Sequence, residues 1–98
     1  MLQIRETGEF ITWLSRLKDQ EAKARIAARV RRLAFGNPGD VAPIGKGLSE
    51  LRIQYGPGYR VYFMQRGASL ILLLCGGDKS SQQEDIARAK LLAENWKD

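Results

Sequence analysis

Arginine and tyrosine recur at alternate positions in the second half of the chain. Glu50, Arg52 and Gln54 stand two residues apart, and beyond a Gly56-Pro57-Gly58 turn come Tyr59, Arg60 and Tyr62. In a strand, residues two apart share a face, so this spacing gathers guanidinium groups and a phenol on one surface. A guanidinium is planar and can bind two phosphate oxygens through parallel hydrogen bonds. Tyr59 and Tyr62 offer rings on which an unpaired base can stack. The alternative is that Arg52 and Arg60 pair with Glu50 and Asp78 on a solvated surface. A second basic group, Lys23, Arg25, Arg29, Arg31 and Arg32, has no acid among its members. Arg25, Arg29 and Arg32 fall on one helical stripe. They read either as a solvated face, partly offset by Glu21, or as a track for RNA phosphates or a seat for an acidic partner segment.

What is missing narrows the chemistry further. The 98 residues contain no histidine and one cysteine, which removes the commonest proton-transfer group and makes a zinc site untenable. No metal or cofactor is expected. Cys75 ends an apolar run and reads as a small buried hydrophobe, not a nucleophile. Gly76-Gly77-Asp78-Lys79-Ser80 lacks the spacing of a phosphate-binding loop, so nucleotide hydrolysis is set aside. The net charge of +5 favours anionic partners, nucleic acid first. A hydrophobic share of 44% fits a folded chain, and its length fits a single domain over 1–98. Leu70–Cys75 is far shorter than the roughly 20 apolar residues of a membrane span. The N-terminus lacks the basic-then-apolar order of an export signal, so the cytoplasm is the expected location, with no membrane partner.

The elements that would position these residues follow from periodicity. Leu2–Arg5 reads as a short strand. Phe10, Trp13, Leu14 and Leu17 mark one face of a helix that Thr7 can cap, and Ala22, Ile26, Val30 and Leu33 mark a second helix after an Asp19 cap. Gly36-Asn37-Pro38-Gly39 ends it, and the short link between the two predicts an antiparallel helix hairpin. Three strands follow as a meander: Glu50–Tyr55, Tyr59–Arg66 and Leu70–Cys75, the last apolar on both sides. With a three-residue loop, Tyr55 faces Tyr59, Gln54 faces Arg60 and Arg52 faces Tyr62. Leu51, Ile53, Val61 and Phe63 then share the opposite, covered face. A two-residue turn at Gly67-Ala68 sets Arg60 opposite Cys75, with Lys79 just beyond that strand. Ser80 and Gln83 have the pattern of a capping box for a last helix running to about Trp96. The expected fold is α+β, with the helices on one face of a mostly antiparallel sheet and the arginine face open.

Glu50-Leu51-Arg52, Tyr55-Gly56-Pro57-Gly58-Tyr59-Arg60-Val61-Tyr62-Phe63 and Gly76-Gly77-Asp78-Lys79-Ser80 together resemble the HigB-like toxins, often called addiction-module killer proteins, of the RelE/ParE superfamily. Phe10, Trp13 and Leu14, the Ala/Arg-rich second helix and Gly36-Asn37-Pro38-Gly39-Asp40 extend the resemblance over nearly the whole chain. It implies a toxin silenced by an antitoxin, usually a helix-turn-helix DNA-binding protein, with operator DNA reached only through the complex. It also implies a ribosome-dependent endoribonuclease that cuts mRNA without a metal. By that resemblance Arg60 stabilises the transition-state phosphate, Arg52 binds the neighbouring phosphate, and Lys79 stabilises charge or protonates the leaving oxygen. Lys46 is a further candidate for RNA contact, beside Gln54, Tyr59, Arg25, Arg29 and Arg32. The chain departs from the pattern in having neither tyrosine nor histidine after Tyr62, which leaves proton transfer to lysine, Tyr62, Asp78 or the ribosome. A gyrase-poisoning toxin like ParE, or an inactive toxin kept as a co-repressor, are the competing expectations.

Overall fold

The computed structural model describes residues 1–97. In chain order the elements are β1 (Gln3–Glu6), α1 (Gly8–Arg16), α2 (Gln20–Ala34), β2 (Val41–Gly45), β3 (Leu48–Ile53), β4 (Tyr59–Arg66), β5 (Leu70–Gly77), a short 3-10 turn at Lys79–Ser81 and α3 (Gln82–Asn95). They form a mixed α+β fold around one five-stranded sheet of order β1-β5-β4-β3-β2. β1 runs parallel to β5 and every other pair is antiparallel. No helix among the described residues is long and apolar enough to cross a membrane.

The first two helices start where side-chain caps allow. Thr7 Oγ1 accepts from Phe10 N at 3.0 Å, and Asp19 accepts from Glu21 N at 2.9 Å and Ala22 N at 3.2 Å, satisfying amides that the first turn leaves free. The third start differs from the expected capping box. Asp78, not Ser80, does the capping, accepting from Ser80 N at 2.8 Å, and α3 begins two residues later without a side-chain cap. The helix hairpin is also looser than expected. α1 lies on β5 and α2 on β3, because each follows a different part of the apolar sheet.

The largest departure concerns the faces of the sheet. α1 and α2 cover the face holding Leu51, Ile53, Val61, Phe63, Ile71 and Leu73, the apolar set expected from the spacing. α3 covers the other face, where Leu48, Tyr62, Leu72, Leu74 and Cys75 meet Ile86, Ala89, Leu92 and Trp96. The helices therefore sandwich the sheet and do not share one side. β4 and β5 are apolar at consecutive positions, Val61–Met64 and Leu70–Cys75, so both of their faces need cover.

Two further details shift. β2 is an unexpected strand at the sheet edge; its Pro43 cannot donate to a ladder and is tolerated there, beside a bulge. The β3–β4 register places Ile53 opposite Tyr59, Arg52 opposite Arg60 and Glu50 opposite Tyr62, two positions away from expectation. β4 and β5 pair Arg60 with Gly77 and Tyr62 with Cys75, past an irregularity at Tyr62/Phe63. A slip of two leaves each side chain on its face.

Close packing at the end of β5 rests on glycine. A Cβ on Gly76 would lie 2.4 Å from the Trp13 ring, whereas one on Gly8 would meet nothing within 4 Å. Gly76→Ala is expected to cost about 1–3 kcal/mol by overpacking, read as a lower urea midpoint at unchanged slope. Gly8→Ala should leave that midpoint unchanged or raise it slightly.

Candidate nucleic-acid interface

At the turn end of the sheet, one buried carboxylate organises the arginines. Glu50 is 3% exposed. It lies 3.4 Å from Arg52 Nε and 3.7 Å from Arg60 Nε, and it accepts from Gln82 Nε2 at 3.0 and 3.3 Å. β3 supplies Glu50 and Arg52, β4 supplies Arg60, and the start of α3 supplies Gln82. Arg60 Nη1 also donates to Gly58 O and Tyr59 O, each at 3.3 Å. Its Nε, although near Glu50, makes no hydrogen bond among the described residues.

This arrangement corrects the open-face expectation. Arg60 is 6% exposed and Tyr62 is fully buried, because α3 lies over them. The Tyr62 hydroxyl has no hydrogen-bond partner among the described residues. Burial, and then the nearby Glu50 charge, hold it protonated well above the ordinary phenol range. Tyr62 therefore offers no ring for stacking. Among the described residues Asp78 makes no ion pair with an arginine; it accepts from Ser80 N and Oγ. Arg52 alone of the three keeps substantial access, at 37% side-chain exposure, and it also reaches Asp40 at 3.5 Å.

Exposed and half-buried groups lie near this end of the sheet, with Tyr55 and Tyr59 on its other face. Lys79 is exposed, and its aliphatic stem lies over Gly58, where a Cβ would come within 3.0 Å of it. Gln54 is exposed and donates to Asp40 at 2.7 Å. Tyr59 packs edge-on against Trp13 with ring centroids 6.4 Å apart. The Tyr55 hydroxyl donates to Asp19 at 2.8 Å, and Arg25 lies over the Tyr55 ring at 4.7 Å while pairing with Glu21 at 2.9 Å. That same hydrogen bond holds the Asp19 carboxyl below its ordinary value and pushes Tyr55 above its own. Lys46 sits in the β2–β3 turn with φ of 55°, at the opposite end of β3 and about 20 Å away by strand length. The fold does not bring it to the other cations.

The basic stripe of α2 divides into different roles. Arg25 is engaged as described, and Arg32 is exposed with no ion pair among the described residues. Arg29 is a structural clasp. Nη1 donates to Arg52 O, and Nη2 donates to Pro38 O at 2.9 Å and Asp40 O at 3.1 Å. It ties α2 to the strands that carry Arg52, so it is unavailable as a phosphate contact. Desolvation, and then Arg32 nearby, lower its pKa.

Glu50 and Gln82 are the members of this cluster that sequence reasoning did not count as functional. The i,i+2 spacing of Glu50 and Arg52 was a signal for the first; nothing local marked Gln82, which arrives through the path of α3.

Arg29→Ala removes three donor contacts and is expected to cost about 2–4 kcal/mol, whereas Arg32→Ala should stay within about 0.5 kcal/mol. Urea denaturation of the two variants checks the difference. Burial pushes the Cys75 thiol up to about 12. It should therefore stay protonated and react with a disulfide reagent near pH ~8 only after denaturation, in a thiol titration with and without urea.

Residues 12–97 match the family described as phage derived protein Gp49-like (DUF891). The chain is 54% identical over 93 residues to an uncharacterized protein of Haemophilus influenzae (strain Rd), covering 95% of this chain and 94% of the relative. The Gp49-like family is toxin-like and related to the RelE/ParE-type toxins, and this membership points to a toxin of toxin–antitoxin type with an antitoxin as partner. A match that spans most of the chain, the strands holding Glu50, Arg52 and Arg60 included, makes the protein a member of the Gp49-like family.

Proposed function

We propose that the chain is the toxin of a type II toxin–antitoxin pair, of the HigB-like branch, and that it halts translation by cutting mRNA on the ribosome. The antitoxin partner is a helix-turn-helix protein, and the site of action is the cytoplasm. The observation that carries this reading is the sheet end where half-exposed Arg52 pairs with the buried Glu50 carboxylate and exposed Lys79 lies over the nearby turn at Gly58. Backbone cleavage of RNA needs a base to take the ribose 2′-hydroxyl proton, positive charge for the phosphorane and an acid for the departing 5′-oxygen. Arg52 is the group with both exposure and geometry for the phosphate. Arg60, closed beneath α3, acts through Glu50 by keeping that carboxylate in place. Glu50 is the base once Gln82 has moved from it, and Lys79 serves the leaving oxygen.

The burial of Arg60 and Tyr62 favours a second reading, a ParE-like inhibitor of DNA gyrase that cuts nothing. Brief induction in bacteria with mapping of mRNA ends separates the two. Codon-phased cuts should appear and fall about 100-fold or more in Arg52→Ala, and about 10- to 100-fold in Lys79→Ala. Both variants should still co-purify with antitoxin. Growth arrest with intact mRNA and a DNA-damage response would favour the gyrase reading instead.

A further inference from the structure

β1 ends at Glu6, opposite Leu73, but β5 continues to Gly77. Beyond Glu6 the outer edge of β5 therefore has no partner strand. Thr7 takes up the carbonyls of Leu73 and Leu74, which leaves Cys75–Gly77. Cys75 and Gly76 of this stretch form the floor of a cavity of about 590 Å3, walled by α1 on one side and, through Asp85, by α3 on the other. Arg88 of α3 grips Glu9 of α1 through both carboxylate oxygens, at 2.7–3.0 Å, and fixes the width of the slot.

Three unlike chemistries meet there. Trp13 stands on Gly76, only partly buried, and meets Tyr59 edge-on at the turn end of the sheet, on the face that α1 and α2 cover. Asp85 sets its carboxylate against Gly77, with one oxygen accepting from Ser81 Oγ at 2.6 Å. Arg16, at the other end, is exposed and has no ion pair among the described residues. An indole face, a carboxylate and a free guanidinium in one slot match the three parts of a nucleotide: flat ring, base N–H edge and phosphate.

We propose that this slot binds a guanine nucleotide of the RNA, its ring against Trp13, its N1–H and N2–H donated to Asp85 and its phosphate held by Arg16. The proposal rests on the RNA reading above and names where a base next to the cleaved strand goes. Guanine is the base whose edge offers two adjacent donors to a carboxylate; adenine sets an acceptor in that place. An extended peptide adding to the β5 edge would use backbone contacts and be indifferent to Asp85.

Trp96→Phe leaves Trp13 as the sole indole, and its fluorescence reports the slot. Titration of that protein with 5′-GMP, AMP, CMP and UMP should give quenching by GMP in the millimolar range or below, at least about tenfold tighter than by AMP. Asp85→Asn should bring GMP down to the level of AMP, and Arg16→Ala should erase the advantage of GMP over guanosine. No quenching at about 10 mM, equal quenching by all four nucleotides, or a GMP response unchanged in both variants would overturn the proposal. Mapping of mRNA ends keeps the two readings apart. Codon-phased cuts without GMP binding sink the slot and leave the nuclease standing. GMP binding without cuts leaves a nucleotide site on a protein that is not a nuclease.

Discussion

Two central strands with apolar side chains on both faces need two covering layers, and a chain of 98 residues has little with which to build the second. α3 is the layer available. Laid across β4 and β5, it buries Tyr62, Leu72 and Leu74 and closes Arg60 in the same step. A guanidinium taken from water requires a counter-charge and hydrogen bonds. Glu50 and the carbonyls of Gly58 and Tyr59 supply them, and Gln82 completes the shell of Glu50 from α3 itself. The charged cluster and the apolar layer are thus one construction. The Nε of Arg60 and the hydroxyl of Tyr62, both buried without hydrogen bonds among the described residues, mark where its polar pairing falls short.

Much of the fold was legible because it is written in local chemistry. Thr7 and Asp19 cap as their types imply, and the helical stripes of α1 and α2 face the core that their spacing picked out. β2 was hidden by Pro43, which argues against a central strand and carries no information about an edge one. The register was misjudged because Gln54 and Tyr55 leave the ladder. Tyr55 is drawn off to Asp19 and Arg25, and a turn written as Gly-Pro-Gly does not show how many flanking residues it takes along.

The site was legible in its membership and not in its exposure. Arg52, Arg60 and Tyr62 do share a face, as alternation required, and Glu50 is the partner of the two arginines, as the alternative reading had it, though Asp78 is not. Neither reading foresaw burial. The signal lay in the four consecutive apolar residues Val61–Met64, which ask for cover on both sides of β4 just as Leu70–Cys75 does on β5. The α2 stripe teaches a related lesson. Arg25, Arg29 and Arg32 have the same spacing and the same charge, yet one stacks on a tyrosine, one clasps three carbonyls and one is left in solvent. Helical position sets direction, but what waits in that direction is tertiary.

Family membership narrows the protein to a toxin and leaves its target to the site. There the physics frames a choice. If Arg60 is to touch a phosphate, that phosphate must take the place of Glu50 as its counter-charge, since a buried arginine without an anion is costly. The exchange would release Glu50 as Gln82 and the start of α3 move away, and one event would then supply both an RNA contact and a free base. If the start of α3 stays closed, only Arg52 and Lys79 face a ligand, and two exposed cations can hold a polyanion without assembling a reaction centre around it. The weak start of α3, which lacks a side-chain cap, makes the first course accessible at the place where it is needed.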